Sequence, residues 1–394
     1  MVGDIDPREV AITDVRTARV DSEFHWTFVR IDTDAGVSGI GEAVLGPAVD
    51  GYIEHAKGLL VGKSPVDIDA RCTELYDGLS FLGGMNGVGV TAISGIDVAL
   101  HDLAGKLLGV PAYQLVGGKH REEVRVYCDT HAGDHLFRTD ENSYSPEAYA
   151  DAAEAVVADG FDALKFDLDG TERDELDGRN KHLNGRAIER KVAIVEAVLD
   201  RVGDRADVAF DCHWSWTGDT GRRLASALEP YDVWWLEDTV PPENHDVQRY
   251  VTHNTDTTIA AGENLYRVEG ARRLIESQGI DVFHPDVPKT GGMRETKKAA
   301  DMAKAYSIPL ALHNVASPIG TMASAHVGAA ASNFLALEFH ARDLEWWDDL
   351  LVRDEPLIRE GRIAVPDEPG LGIELDEDAL AAHLVDGEEL FDEA

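Results

Sequence analysis

Hydrophobic and polar residues alternate in three short runs near the start of the chain, at residues 10–15, 26–31 and 36–43. This alternation predicts strands buried on one face, and Asp34-Ala35-Gly36 ahead of the third run fits a hairpin turn. From about residue 49 to residue 108, apolar residues recur three and four positions apart, as on one face of a helix. Gly109-Val110-Pro111 predicts the end of the last helix. The pattern therefore predicts an α+β domain over residues 1–121.

A different pattern begins at about residue 123, where strand-like runs alternate with helical stretches. The strand-like runs are residues 124–128, 163–168, 208–210, 233–236, 258–261, 282–283, 309–312 and 334–337. Helical stretches between them include residues 145–158, 186–199, 270–277, 293–305 and 317–331. Eight strands alternating with helices predict a parallel sheet closed into a (β/α)8-type barrel. We expect this barrel over residues 122–342, with residues 343–394 packing back against the first domain.

Two other architectures fit the alternation less well. A doubly wound open sheet would carry a glycine-rich phosphate-binding turn after its first strand, and residues 129–133 are a poor match to one. A leucine-rich repeat has a similar period, but its leucine signature is missing. Residues 169–190 are highly charged and form an insertion after the second barrel strand. The sequence leaves open whether this insertion is a lid or a solvated excursion.

The charge of the chain narrows the range of partners. The 394 residues include 36 Lys+Arg against 74 Asp+Glu, a formal net charge of −38. Such a surface repels nucleic acid and anionic membranes, so we expect neither as a partner. The acidic residues are dispersed along the chain, as in a folded protein that stays hydrated in concentrated salt. We therefore expect a halophilic source, with an acidic protein of ordinary salt tolerance as the alternative.

Cysteine usage and the N-terminus bear on the cellular compartment. The cysteines, Cys72, Cys128 and Cys212, are far apart and form no CxxC motif, which indicates reduced thiols. The first residues are acidic and lack the apolar core of a signal peptide, and no run approaches the ~18 apolar residues of a membrane span. We therefore expect a cytoplasmic protein.

Three lone carboxylates follow successive strand-like runs at equal spacing. Asp211, Glu237 and Glu263 each come directly after such a run and are 26 residues apart. Because the carboxyl ends of parallel barrel strands share one face, we expect these side chains to converge there. Oxygen donors without accompanying cysteine suit Mg²⁺, with Mn²⁺ as the second choice. The sequence therefore predicts a magnesium site at this end of the barrel.

Other polar residues end the remaining strands in step with these three. They are Lys165 and Asp167, His213, Asp286, His313 and Glu338. Charged groups at the carboxyl ends of barrel strands are typical of catalysis rather than of stability. Asp286 and His313 end neighbouring strands, so the carboxylate can accept a hydrogen bond from one imidazole nitrogen while the other nitrogen works as a base. A buried structural histidine is the alternative, and the partner acid argues against it.

With these residues in place, the sequence resembles the enolase superfamily, specifically the mandelate-racemase-like acid-sugar dehydratases. The resemblance covers nearly the whole chain and includes the α+β capping domain. Its motifs are Lys165-Phe166-Asp167, Asp211-Cys212-His213, Trp235-Leu236-Glu237-Asp238, Gly262-Glu263-Asn264, His284-Pro285-Asp286 with Gly291-Gly292, Leu312-His313-Asn314 and Leu337-Glu338-Phe339-His340. Each tripeptide alone is weak, but the set is specific. It implies a (β/α)7β barrel with a capping domain completed by the C-terminal segment, usually assembled as a homo-oligomer.

The resemblance also implies a chemistry, the abstraction of the proton next to a carboxylate through an enediolate held on Mg²⁺. By resemblance, Asp211, Glu237 and Glu263 would be the metal ligands. His313, paired with Asp286, would be the base. An α-proton beside a carboxylate is very weakly acidic, so a nearby divalent charge is needed to stabilise the anion.

Further roles follow from the same resemblance. Glu338 would lie beside the substrate carboxylate. Loops of the capping domain, residues 24–26 and 81–86, would sense the far end of the substrate. His25 in the first loop and Asn314 are candidate substrate-binding residues. The implied partner is a small acid sugar.

One departure from the family pattern selects the subclass. Racemases of the family carry Lys-x-Lys on the second strand, whereas here the second lysine is replaced by Asp167, which also becomes a candidate substrate-binding residue. The replacement weakens a two-base racemisation. His213 lies two residues beyond Asp211, so we expect it to point the same way along its strand. It resembles the acid that expels the 3-hydroxyl in sugar-acid dehydratases, with support of the metal ligands as its alternative role.

The sequence therefore predicts a hydro-lyase that converts an aldonic acid to its 2-keto-3-deoxy product. Gluconate and xylonate are the leading substrates, and galactonate or arabinonate follow. One alternative is an epimerase or racemase of the same superfamily that uses Lys165 and His313. Another is a catalytically silent barrel, against which the intact ligand and base positions speak. A metal-dependent aldolase on another barrel would not need the capping domain.

Overall fold

The computed structural model of the protein describes residues 6–22, 24–44, 46, 48–83, 85–132, 144–169, 176–177 and 181–391. Within them, the two sequence patterns form the two predicted parts, an antiparallel sheet with helices and a closed parallel barrel. The fold class expected from the sequence is therefore confirmed.

An antiparallel sheet packed on helices forms the capping domain. The strands pair in the order β1 (Ile12–Asp21), β2 (His25–Thr33) and β3 (Ser38–Val44). The helices are α1 (Val49–Leu60), α2 (Ile68–Leu79), α3 (Val88–Leu108) and α4 (Ala112–Leu115). β3 runs so close to α3 that a side chain at Gly39 or Gly41 would collide with the α3 backbone. The two glycines therefore set the distance between sheet and helix.

The central helix α3 also has the length and apolar composition of a membrane span. However, 94% of its most apolar 18-residue window is buried inside the protein. Such burial is typical of a core helix, so length and composition are weak evidence for a membrane here.

Parallel strands build the second part of the molecule. In chain order the strands are β4 (Glu123–Thr130), β5 (Ala163–Asp167), β6 (Leu176–Asp177), β7 (His182–Leu183), β8 (Asp207–Asp211), β9 (Leu236–Glu237), β10 (Ile259–Ala261), β11 (Val282–Phe283), β12 (Leu310–Leu312) and β13 (Phe334–Phe339). β6 and β7 pair with each other as a small hairpin. The other eight pair in parallel in chain order, and β13 pairs with β4 to close the barrel.

Helices surround the barrel and connect its strands. They are α5 (Pro146–Ala158), α6 (Gly185–Val202), α7 (Gly218–Leu228), α8 (His245–Thr252), α9 (Arg267–Glu276), α10 (Val287–Thr290), α11 (Gly292–Ala305) and α12 (Pro318–Ala330). Side chains of Ser145, Asn184 and Thr217 accept hydrogen bonds from the first turns of α5, α6 and α7, and so begin these helices. The connections from β4 to β13 match the expected (β/α)7β arrangement.

The charged insertion after β5 is shorter than the sequence predicts. Residues 185–190 belong to α6, because the Asn184 side chain caps that helix at Gly185. Residues 170–175 and 178–180 of the insertion lie outside the described residues. Whether the segment acts as a lid therefore stays a prediction.

The C-terminal segment contacts both parts of the molecule. β14 (Arg362–Ala364) pairs antiparallel with β4 of the barrel. α13 (Glu377–Ala381) contacts the cap, since Arg30 Nη1 lies 2.8 Å from the Glu377 carboxylate. We keep residues 1–121, 122–342 and 343–394 as the proposed domain limits.

The barrel interior is filled by one layer of mostly small side chains with two aromatic rings. The layer consists of Tyr127, Ala163, Ala209, Trp235, Ala260, Val282, Ala311 and Ala336. Each strand contributes one member, which for β9 is the residue directly before it, as expected where alternate side chains of a closed barrel point inward. The layer forms a solid floor below the carboxyl ends of the strands.

Candidate active site

A layer of charged side chains lies directly above this floor. Side chains on one face of a strand recur every second residue, so the residue two positions after each floor residue points the same way. These positions hold Asp129, Lys165, Asp211, Glu237, His284, His313 and Glu338. On β10 the position is Gly262, where the backbone of His284 leaves no room for a side chain, and the acid follows as Glu263. The predicted strand-end residues therefore share one face of the barrel.

Lys165 is the centre of this layer. Its Nζ lies 3.2 Å from Asp211 Oδ2, 3.1 Å from Glu237 Oε1 and 2.7 Å from Glu338 Oε1. The lysine side chain is only 2% exposed. Burial by itself would lower the pKa of Lys165, but the charges of Glu237 and Glu338 outweigh it and raise the pKa well above its ordinary value. The lysine is therefore a fixed cation that joins three predicted site residues.

Two of the carboxylates around Lys165, Asp211 and Glu338, stay ionised for the same reason. Burial would raise the pKa of Asp211, yet the charges of His213 and Lys165 hold it below the ordinary value. Burial is likewise outweighed at Glu338, where Lys165 and His313 lower the pKa to about 2. Glu237 is completely buried and also accepts a hydrogen bond of 3.1 Å from Trp235 Nε1. Asp211 and Glu338 are therefore charged acids in this layer.

His313 bonds to a carboxylate through each ring nitrogen. Its Nδ1 lies 2.7 Å from Asp286 Oδ2, as the sequence predicted for neighbouring strands. Its Nε2 lies 2.5 Å from Glu263 Oε2. Burial alone would lower the pKa of His313, but Glu263 and Glu338 raise it well above the ordinary value. Lys289 Nζ, 3.4 Å from Glu263 Oε1, adds a second cation to that carboxylate.

Glu338 is hydrogen-bonded to Asn314, the residue that follows His313. The backbone N–H of Asn314 donates to Glu338 Oε2 at 3.0 Å, and the Asn314 side-chain amide donates to the Glu338 backbone carbonyl at 3.2 Å. Asn314 is fully buried and also bonds Thr321 Oγ1 at 2.9 Å. Its amide nitrogen therefore helps to hold β12 against β13, whereas its amide oxygen is buried without a hydrogen-bond partner, and its role in substrate binding stays a prediction.

His213 reaches the site by a route that the sequence did not predict. β8 ends at Asp211, and both His213 and Trp214 have positive φ angles, of 40° and 57°. Strand alternation therefore does not set its direction. Instead the His213 N–H donates to Asp211 Oδ1 at 2.8 Å in a tight turn. Backbone strain of this kind is concentrated at functional sites.

Acidic side chains surround the His213 ring. Nδ1 lies 3.2 Å from Asp169 Oδ1 and 3.8 Å from Asp167 Oδ1, and Nε2 lies 3.6 Å from Asp211 Oδ2. The charge of Asp211, opposed by partial burial, raises the pKa of His213 to about 12. Burial raises the pKa of Asp167 to about 7. The His213 side chain is 39% exposed, so a ligand in the barrel mouth can reach it.

The three predicted metal ligands fit a divalent cation in donor type and charge. Asp211, Glu237 and Glu263 are buried carboxylates, and each is paired here with Lys165 or His313. Oxygen donors of this kind are those that Mg²⁺ prefers. Among the described residues, the candidate ligand atoms that lie within 4.8 Å of one another belong to a different group, Asp167, Asp169 and His213, and the three predicted ligands do not form such a group. The group around His213 is partly exposed, and exposed acids often cluster without binding an ion.

The capping-domain residues predicted to sense substrate lie in two loops that border the barrel. His25 begins β2 and is exposed, whereas its neighbours Phe24 and Trp26 stack edge-on against His340 beyond β13. In the second loop, Met85 Sδ lies 3.9 Å from Arg267 of the barrel, and Gly84 lies outside the described residues. Both loops thus border the barrel, while a direct role of His25 stays a prediction.

Several residues of the layer were missed by sequence reasoning. Asp129 points inward from β4 with a buried oxygen that has no hydrogen-bond partner, and burial raises its pKa well above the ordinary value. His284 Nε2 lies 3.1 Å from both Tyr127 Oη and Glu237 Oε1. Counting two residues from each inward strand position would have found Asp129 and His284. Asp169 lies two residues beyond the end of β5 and Lys289 lies in α10, so neither belongs to a strand whose alternation could mark it.

Comparison with known proteins places this arrangement in a family. Residues 3–117 match the mandelate racemase / muconate lactonizing enzyme N-terminal domain, and residues 148–379 match the enolase C-terminal domain-like family. The chain is 56% identical over 387 residues to a D-xylonate dehydratase of Haloferax volcanii, covering 98% of this chain and 92% of that protein. It is 31% identical to a D-galactonate dehydratase of Variovorax paradoxus, covering 94% and 93%.

A solved structure extends the likeness to three dimensions. A mandelate racemase/muconate lactonizing enzyme-like protein from Rubrobacter xylanophilus superposes with a TM-score of 0.92 at 40% identity, covering 98% of this chain and all of that one. The family expected from the motifs is therefore confirmed. The chain belongs to the mandelate racemase / muconate lactonizing enzyme family of the enolase superfamily.

Proposed function

We propose that this protein is a Mg²⁺-dependent sugar-acid dehydratase, with D-xylonate as its first candidate substrate. The observation that carries the proposal is the placement of two differently surrounded histidines in one barrel mouth. His213 follows the third barrel strand and His313 the seventh, which puts them on opposite sides of an eight-stranded barrel. The 56% identity to a D-xylonate dehydratase supports the substrate, and related galactonate and gluconate dehydratases support the reaction class.

His313 and His213 act on the substrate from opposite sides of the barrel mouth. His313 takes the proton from the carbon next to the substrate carboxylate, oriented by its 2.7 Å contact with Asp286. It becomes a base once Glu263 no longer holds its Nε2. His213 gives its proton to the 3-hydroxyl, so that the carbon–oxygen bond breaks, water leaves and a carbon–carbon double bond forms. The resulting enol then tautomerises to the 2-keto-3-deoxy acid.

The charged layer supplies what these two steps need. Asp211, Glu237 and Glu263 would hold Mg²⁺, which when bound supplies the positive charge that stabilises the anion formed beside the carboxylate. Lys165 and Glu338 flank the place where that carboxylate would lie, and Asp167 stands in place of the second base of a racemase. These roles are proposals supported by the contacts described above.

The test separates the two steps of the reaction. Wild-type protein with D-xylonate and Mg²⁺ should form a 2-keto acid, compared with gluconate, galactonate and arabinonate under the same conditions. His213→Asn should abolish water loss yet leave exchange of the substrate α-proton with solvent deuterium. His313→Asn should abolish both, and His253→Asn, in an exposed histidine at the end of α8, should change neither.

Each alternative function predicts a different outcome of these assays. Solvent-deuterium exchange without water loss in the wild type would point to an epimerase or racemase. No turnover on any sugar acid, with thermal stability unchanged by Mg²⁺, would point to a silent barrel. Loss of exchange together with dehydration in His213→Asn would make that residue structural.

We further propose a cytoplasmic homo-oligomer adapted to high salt. The net charge of −38 and the Haloferax relative support the adaptation to high salt. Light scattering of the purified protein over a KCl series tests the assembly and its salt dependence.

A further inference from the structure

The segment that follows His313 is held by side chains from outside the barrel. We call residues 314–317, between β12 and α12, the base loop. The Val315 carbonyl accepts a 2.8 Å hydrogen bond from Trp26 Nε1 of β2, and the Ala316 carbonyl accepts one of 3.2 Å from Trp347 Nε1 of the C-terminal segment. Consecutive carbonyls are thus fixed by two different parts of the chain.

Glu42 at the end of β3 holds the rest of the loop. Its Oε1 accepts from the Ser317 N–H at 2.9 Å, and its Oε2 accepts from the Gly320 N–H at 2.9 Å and from the Ser317 hydroxyl. The two N–H donors are among the first free N–H groups at the start of α12, where an acid is favoured. Glu42 is completely buried, and a side chain at Gly320 would crowd it and Ala316. The carboxyl therefore fills a fitted site between cap and barrel.

Movement of the base loop would reach the reacting groups directly. Asn314, its first residue, adjoins His313 and donates to Glu338 at 3.0 Å. His313 itself is otherwise fixed through its N–H, which donates to the Pro285 carbonyl at 3.1 Å. Neither Trp26 nor Glu42 contacts the charged layer above the barrel floor in the described contacts. The hydrogen bonds by which they reach the barrel mouth therefore run through the loop, while Glu42 also interacts with the charge of Asp286 and Trp26 packs edge-on against His340.

We propose that Trp26 and Glu42 of the capping domain are positioning residues that hold the base loop and thereby align His313 with Asp286 and Glu338. The proposal rests on the proposed function in so far as His313 is the base. It gives the capping domain a part in the chemical step in addition to substrate selection. Misplacement of a reacting group by about 1 Å costs on the order of a hundredfold in rate, so small loop movements suffice.

The test uses matched changes to buried groups. Trp26→Phe removes the indole N–H and keeps a ring, and Glu42→Gln leaves a single acceptor for several donors. The control is Asp102→Asn in α3, another fully buried carboxylate, which accepts from the Ile40 and Leu371 N–H groups at 2.8 and 2.9 Å. It joins the cap to the C-terminal segment without touching the base loop.

The two test variants should lose kcat by roughly tenfold or more at an almost unchanged KM, because alignment and not binding is affected. The α-proton exchange rate should fall in parallel with dehydration. Asp102→Asn should lower the unfolding temperature while the folded enzyme keeps its kcat. Equal behaviour of all three variants, with only stability lost, would overturn the proposal.

A readout without turnover separates this proposal from the proposed function. The ring nitrogen resonances of His313, assigned by comparison with His313→Asn, should shift in Trp26→Phe and Glu42→Gln and stay in place in Asp102→Asn. If the wild type turned over no sugar acid, the proposed function would fail while these shifts still reported on the loop. If the His313 resonances did not shift in either test variant, the positioning role would be wrong whether or not the protein turns over a sugar acid.

Discussion

The carboxyl of Glu42 should make the stability of the protein depend on pH. Burial, opposed by the hydrogen bonds from Ser317 and Gly320 and assisted by the charge of Asp286, raises its pKa from 4.5 to about 7. The folded protein therefore binds one more proton than the unfolded chain between these two values. The contribution of Glu42 is fully present below pH ~4.5 and is lost as the pH rises through about 7. At ~1.4 kcal/mol per pH unit, the loss amounts to ~3 kcal/mol.

The measurement compares wild type with Glu42→Gln, whose amide does not titrate. Urea unfolding of both proteins from pH 4.5 to 8.5 at fixed salt yields the difference in unfolding free energy at each pH. Because the other titrating groups are common to both, the difference should move by ~3 kcal/mol in favour of the variant as the pH rises. An infrared difference spectrum should show a protonated carboxyl at low pH. Parallel curves for the two proteins would refute the reasoning, and would mean that the helix N-terminus keeps Glu42 ionised throughout.

Two further predictions concern other buried groups. Lys165→Met, measured without divalent cations, should lower the free energy of unfolding by about 3–5 kcal/mol, because it leaves buried carboxylates without their cation, and Mg²⁺ should restore part of the loss. Lys57→Met, which breaks a partly exposed pair with Asp14, should cost no more than ~1 kcal/mol. Gly292→Ala should cost at least ~2 kcal/mol, because φ is +77° and the new methyl group would collide with the Asp97 carboxylate. Gly51→Ala, on an exposed face of α1 with open space around it, should instead stabilise by ~0.5–1 kcal/mol. Thermal unfolding would show the contrast, and equal effects at the two glycines would contradict it.

The barrel and most of its charged layer could be predicted because they depend on local patterns. Strand and helix periodicity fixes the order of elements, and a closed parallel barrel forces the ends of all strands onto one face. Asp211, Glu237 and His313 then follow from position alone. The pairing of His313 with Asp286 follows from the adjacency of their strands, which the structure places at 2.7 Å.

The sequence could not predict contacts between distant segments. Glu42 lies 275 residues from Ser317, and Trp26 lies 289 residues from Val315, so no local pattern joins them. The orientation of the His213 side chain could not be predicted either, because strand alternation ends at Asp211 and the backbone then turns through positive φ angles. That conformation depends on the Asp211 hydrogen bond and on the neighbouring loop after β9, whose Asp238 carbonyl accepts from the Trp214 N–H at 2.7 Å.

The opposite roles proposed for the two histidines follow from which carboxylates each one contacts. The Nδ1 of His213 faces Asp169 and Asp167, which lie outside the proposed ligand set, so this ring keeps an acidic neighbour whatever Asp211 binds. His313 differs because the partner of its Nε2, Glu263, is itself a proposed ligand. A cation that engaged Glu263 would therefore free that nitrogen and leave Asp286 to orient the ring. Both rings have a raised pKa here, so the release of His313 Nε2 from Glu263 is what would separate their roles into acid and base. This difference between the two histidines depends on their positions in the barrel. The third strand lies next to the acidic insertion, and the seventh strand leads into the base loop, which the capping domain holds.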